Sequence, residues 1–198
     1  MNTTTLPGFE NPVHDAQHTF RSLLEALSHP GQIYSPAVNL TPPAGLTPIC
    51  AVACLTLLDL DTRVWLQPSL SSSVQDWLRF HTGCRFTETP SSADFAIVES
   101  FSSEIALSAF RWGSAEYPEQ STTLLIQVKD FAGGEARTLS GPGIPPKTLG
   151  DVSFSPALPS HFWTQWQQNS AAYPLGLDCF LFTPVSVVGL PRTTRIRV

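Results

Sequence analysis

Charge is what this chain has least of. Asp, Glu, Lys and Arg make up 14% of its 198 residues, while 42% are hydrophobic. So much apolar material excludes a disordered chain. So little charge leaves polar surface scarce, and exposed apolar patches of the kind that mark partner interfaces are expected. Basic clusters are missing as well. The net charge is −5, and no Lys/Arg run precedes the short tail of Arg192, Arg195 and Arg197. A duplex-binding surface needs many phosphate contacts, so nucleic acid is not an expected partner. Long greasy runs are absent too. ICAVACLTLL, from Ile49, is half of the roughly 20 residues that span a membrane. The opening MNTTTLPGFE lacks the basic and apolar segments of a signal peptide. A cytoplasmic protein with no membrane partner is the expectation, and the length suits one domain over residues 1–198.

Cysteine is sparse. Cys50, Cys54, Cys84 and Cys179 form no C-x-x-C pair. Cys50 and Cys54 sit in an apolar helical run, so free, buried thiols in a reducing compartment are expected rather than a metal site.

What is present reads as alternating helices and strands. Asn11-Pro12 caps a helix that carries Val13, Ala16, Phe20, Leu23, Leu24 and Leu27 on one face at helical spacing, and that stops at His29-Pro30-Gly31. A short strand is expected at Ile33-Tyr34, then a helix over 48–58, a strand over 63–66, and a helix from Ser71–Ser73 to Thr82 that Gly83 closes. A buried strand over 93–98, a helix over 104–112 and the strongest strand, 122–128, follow. Further strands are expected at 136–139, 178–183 and 185–190, in hairpin-like pairs. A helix over 160–169 carries Phe162, Trp163 and Trp166. The pattern predicts a three-layer α/β domain with a mixed sheet.

Several residue groups invite a chemical reading. Gly141 to Thr148, G-P-G-I-P-P-K-T, nearly fits the phosphate loop G-x-x-x-x-G-K-[ST]. That loop works by aiming backbone N–H groups at phosphate, and Pro142, Pro145 and Pro146 have none. A stiff turn after a strand is the better reading. His14 and His18 share a helix face and are the metal candidates, without a third ligand nearby. Arg79 and His81 end a helix, where cations complement its dipole. Ser121, Thr122 and Thr123 stand at a strand start with no G-x-S-x-G elbow to make a nucleophile. The lysines are Lys129 and Lys147. Lys129, after the strand over 122–128, is the Schiff-base candidate for a pyridoxal-phosphate enzyme.

Taken in order, certain phrases resemble one family. They are Leu6 to Gly31 (LPGFENPVHDAQHTFRSLLEALSHPG), Trp77 to Gly83 (WLRFHTG), Ala93 to Ala96 (ADFA), and Tyr117-Pro118 with Ser121 to Val128. Leu139 to Ile144 (LSGPGI), Tyr173 to Asp178 (YPLGLD) and Leu190 to Thr194 (LPRTT) complete the set. Together they resemble the H subunits of the bacterial carbon–phosphorus lyase system for phosphonate use. The resemblance implies a fold similar to the large domain of type I pyridoxal-phosphate transferases, without that class's cofactor. It implies a non-catalytic subunit of a core complex with G, I and J subunits; in isolation the exposed apolar surface expected of so uncharged a chain favours self-association, most simply as a two-fold homodimer. With an L protein, that system joins a phosphonate to the ribose of ATP and displaces adenine. The radical iron–sulfur step that follows needs clustered cysteines, which this chain lacks. On this reading no catalytic, cofactor or metal residue is expected. The alternative is an enzyme in its own right, using Lys129 with pyridoxal phosphate or His14 and His18 with a metal.

Overall fold

The structure, a computed structural model, describes residues 6–145 and 153–197. Helix α1 runs Pro12–Ser28. The Asn11 carboxamide accepts from the His14 N–H, and the Asp15 carboxylate accepts from the Asn11 N–H at 2.9 Å, a reciprocal cap that fixes the helix start. Then follow α2 (Pro48–Leu57), β1 (Arg63–Leu66), α3 (Ser72–Thr82), β2 (Arg85–Phe86), β3 (Phe95–Val98) and β4 (Thr123–Gln127). After them come β5 (Arg137–Ser140), β6 (Ser153–Phe154), α4 (Ser160–Ala171), β7 (Asp178–Phe182), β8 (Val187–Leu190) and β9 (Arg195–Arg197). Gly83 ends α3 in the left-handed conformation, φ 72°, as expected of a helix C-terminus.

Six strands form one mixed sheet in the order β2-β1-β3-β4-β7-β8, parallel throughout except for the β7–β8 hairpin at one edge. β3 and β4 read as unbroken apolar runs because both faces of the sheet are covered. Ala96, Val98, Leu124, Ile126, Cys179 and Leu181 point to one side, into a core with Phe162, Trp163 and Trp166 of α4. Ile97, Leu125, Phe180 and Phe182 point to the other, into a core with α1, α2 and α3. α1 lies directly on β8. A Cβ on Gly189 would stand 2.5 Å from the backbone of Ala26, so only glycine permits that approach.

Four expectations are corrected. The stretch over 104–112 forms only a 3-10 turn, Leu107–Ala109. Its backbone N–H groups are claimed from outside: Gln165 of α4 accepts from the Leu107 N–H, and Thr122 Oγ1 accepts from the Arg111 N–H. Of the late strands β7 and β8 form the expected hairpin, whereas β5 does not turn back onto β4. β4 is flanked by β3 and β7, so β5 has no free edge to return to and joins β6 and β9 in a separate antiparallel sheet, order β6-β5-β9. Ile33-Tyr34 contributes a single bridge, Tyr34 to Val187. Finally, the apolar face of α1 is divided. Leu23 is buried, whereas Val13, Phe20 and Leu24 are 77%, 51% and 53% exposed.

Candidate functional site

The order of the parallel strands reverses between β1 and β3, because β2 lies on one side of β1 and β3 on the other. In such sheets ligands sit in the crevice beyond the carboxyl ends of the strands. A cavity of about 540 Å³ opens beside that point, past the ends of β3 and β4. Gly45, Thr47, Glu99, Gln127, Lys129 and Leu158 are among its walls.

Gln127, the last residue of β4, organises the crevice. Its buried amide donates to the Gly45 carbonyl at 2.8 Å and accepts from the Thr47 N–H at 2.5 Å. The loop into α2 is thereby fixed, with the α2 N-terminus facing the cavity edge. Thr47 precedes that helix but makes no side-chain cap, and its hydroxyl is buried without a hydrogen-bond partner. Glu99 follows β3. Its N–H donates to the Gln67 carboxamide at 2.9 Å, and its carboxylate accepts from Ser69 Oγ at 2.7 Å. Lys129 is exposed and has no ion-pair partner among the described residues. The walls hold no histidine or cysteine. One ammonium, one carboxylate and a helix start can hold a small polar ligand. They do not make a nucleophile with an adjacent base.

The opposite edge of the sheet carries the denser electrostatics. Asp94, just before β3, accepts from the Arg63 N–H at 2.8 Å and from the Arg63 and Arg111 guanidinium groups. Burial pushes its carboxyl up, but these donors outweigh it and hold it below the ordinary carboxylate range. Next along, Arg192 forks onto Asp178, with its terminal nitrogen 2.6 Å from Oδ2. It also donates to the Pro118 carbonyl at 2.8 Å and to Ser121 Oγ at 2.6 Å. Thr122 Oγ1 donates to the Ala93 carbonyl at 2.7 Å and accepts from the Arg111 N–H.

The residues singled out in the sequence are scattered. Ser121 and Thr122 belong to the charged amino-terminal edge and are engaged there. His14 and His18 are exposed on α1, and among the described residues no group of three or more His, Cys, Asp or Glu could hold a metal. Arg79 pairs with Asp76 at 3.8 Å and lies over the Phe86 ring. The His81 ring nitrogen meets the Leu6 carbonyl at 2.9 Å, beside the Trp77 indole, which donates to the same oxygen. All four cysteines are free and buried. Burial raises the Cys179 thiol well above its usual range, helped by Asp178; a hydrogen bond to Cys50 that favours the protonated thiol, then burial, does the same to Cys54. Gly141 to Pro145 form a turn after β5, closed by the Ile144 N–H on the Gly141 carbonyl. Lys147 and Thr148 lie outside the described residues. Of all these candidates only Lys129 lines the crevice. Sequence reasoning missed Gln127 and Thr47 there, and Asp94, Asp178 and Arg192 across the sheet. All of these but Thr47 stand inside the family phrases, the one signal that could have found them.

No helix among the described residues is long and apolar enough to cross a membrane. The family described as "Bacterial phosphonate metabolism protein (PhnH)" matches residues 7–197. The chain is similar to a Rhizobium meliloti (strain 1021) protein named alpha-D-ribose 1-methylphosphonate 5-triphosphate synthase subunit PhnH. The two are 39% identical over 95% of this chain and 93% of the relative. A Stutzerimonas stutzeri protein named putative C-P lyase subunit protein HtxG is 31% identical over 92% of this chain and 86% of its own length. With nearly every described residue inside the matched span, this chain belongs to the bacterial phosphonate metabolism protein (PhnH) family.

Proposed function

We propose that this chain is a subunit of a carbon–phosphorus lyase core complex in phosphonate catabolism. It supports formation of ribose 1-phosphonate 5-triphosphate from ATP and a phosphonate without an active site of its own. The observation that carries this reading is the 39% identity, over 95% of the chain, with a protein named as a subunit of that synthase. The partners are the G, I and J subunits, in the cytoplasm. The chain acts as one domain over residues 1–198 and forms a two-fold dimer when isolated. Co-expression with the three partners and size-exclusion chromatography tests this, with a single co-eluting assembly as the expected result. Elution of this chain apart from all three would remove the reading. Sedimentation of the isolated chain tests the dimer.

The proposal extends to the fold. The mixed sheet, with Lys129 beyond β4, supports kinship with the large domain of type I pyridoxal-phosphate transferases. The crevice does not fit the cofactor itself. Glu99, its carboxylate, is tied to Ser69, and Lys129 is the one cation in its walls, leaving none for a phosphate if the lysine were to carry the aldehyde. Titration with pyridoxal phosphate is expected to leave the visible spectrum that of the free aldehyde. Appearance of a Schiff-base band lost in Lys129→Ala would revive the independent enzyme.

A further inference from the structure

We propose that the outward stripe of α1, Val13, Phe20 and Leu24, is the seat for a helix of a partner subunit that carries carboxylates along one flank. This rests on the subunit reading above. The three apolar residues share a stripe with Gln17 at positions i, i+4, i+7 and i+11, the spacing of a seam along which two helices pack. Their exposures, 77%, 51% and 53%, show that the fold leaves this stripe bare, while Leu23 and Ala26 on the inward face satisfy the core. A monomer gains nothing from three large apolar side chains in water along about 16 Å of a 17-residue helix.

The kind of partner follows from what the stripe offers. A mid-helix backbone has its N–H and C=O groups paired internally, so α1 cannot add a β-strand. A stripe of this spacing is complementary to the apolar seam of a second helix. Beside it, one residue further round, run His14, His18, Arg21 and Glu25, all exposed. The acidic groups nearby are already engaged: Glu25 with His29 at 3.2 Å, and Asp15 with the Asn11 N–H. The His14, His18 and Arg21 side chains have no partner among the described residues. The flank therefore presents unpaired cationic or donor groups, which fit a helix bearing Asp or Glu beside its own apolar row. A second copy fits less well, because antiparallel self-pairing sets the His18–Arg21 stretch against itself.

The test uses the assembled complex of the G, I and J subunits, with this chain added as wild type or variant. The double variant Phe20→Asp/Leu24→Asp is expected to weaken binding about tenfold or more. Arg21→Glu is expected to weaken it about threefold to tenfold, with the difference shrinking as salt is raised. Val185→Asp, 70% exposed at the β7–β8 turn, is the control and should bind like wild type. Circular dichroism and melting temperature should match wild type for every variant, since all these side chains are at the surface. Wild-type binding by the double variant would overturn the proposal and leave the subunit reading standing. Failure of the wild-type chain itself to bind would remove both. Should the double variant lose only a self-dimer, with complex assembly intact, the stripe belongs to a second copy and the proposal falls.

Discussion

The two ends of the parallel strands are built on opposite terms. At the amino end the half-buried charged groups are tied to one another. Asp94 gathers Arg63 and Arg111, and Arg192 clamps Asp178 while holding three further oxygens. At the carboxyl end Gln127 and Gln67 hold loops open around a cavity, Thr47 keeps an unused hydroxyl, and Lys129 stands free. The amino end fastens segments far apart in the chain, so its residues are expected to govern stability. The carboxyl end leaves groups uncommitted, so its residues are expected to change what the surface meets and little else.

The sharpest way to break this comparison is at Arg192. Its side chain is 11% exposed and serves Asp178, Pro118 and Ser121 at once. Arg192→Ala leaves the Asp178 carboxylate with the residue-192 backbone N–H but no guanidinium, and takes the donor from the Pro118 carbonyl, in a largely closed site, at a cost of about 3 kcal/mol. Urea unfolding is the measurement. Arg192→Lys keeps the charge but not the planar fork, and is expected to recover less than half of that loss. A loss below about 0.5 kcal/mol for Arg192→Ala, the level of ordinary surface changes, would erase the distinction between the two ends.

Asp94 sharpens it through pH. Its folded carboxyl is held below the ordinary value, and the unfolded value is about 3.9. Acid therefore protonates the unfolded chain first. The stability Asp94 contributes is complete above that unfolded value and is lost as the pH falls through the lower folded one. Asp94→Asn is expected to cost about 1 to 2 kcal/mol at pH 7, discounted because the ion pairs are partly exposed. The gap between wild type and variant should close as melting temperatures are followed from pH 7 towards pH 3. A gap that stays constant would mean the carboxylate's charge is not what holds this end together.

The same contrast explains what could be read in the sequence. β3 and β4 were legible because burial on both faces leaves an unbroken apolar run, and α3 because Gly83 closes it. The helix expected over 104–112 failed because Gln165 and Thr122, distant in sequence, take its backbone groups. The apolar spacing of α1 was real, but periodicity cannot tell a face the chain covers itself from one it leaves bare. The family phrases were legible only as phrases. Their physical reason is pairwise contact: Leu6 with Trp77 and His81, Asp178 with Arg192, and Gly143, whose added Cβ would stand 2.0 Å from the Ser28 carbonyl. The crevice was nearly invisible, because Gln127 and Thr47 acquire meaning only when β4 meets the loop before α2, 80 residues away in sequence.

At the carboxyl end, Gln127→Leu keeps the volume and removes both hydrogen bonds to the loop before α2. The loss expected is about 1 kcal/mol, because water in the open crevice can reach the freed groups. It should register locally, as faster amide exchange at Leu46 and Thr47, with the β4 amides unchanged. Protection lost across β3, β4 and β7 together would show instead that this end also fastens the whole sheet.

The smallest effect is the most telling. Lys129 lines the cavity, is exposed and has no partner among the described residues. Lys129→Ala removes no ion pair and opens no core, so unfolding stability should stay within about 0.5 kcal/mol of wild type. If the crevice serves an anionic group, brought by a ligand or by a neighbouring subunit, the same substitution should weaken that contact in a salt-dependent way, since its ammonium is the one formal positive charge in the walls. Melting temperature and binding then separate completely: at Arg192 stability moves, and at Lys129 only recognition does. A Lys129→Ala variant as unstable as Arg192→Ala would place the lysine among the fasteners and dissolve the contrast between the two ends.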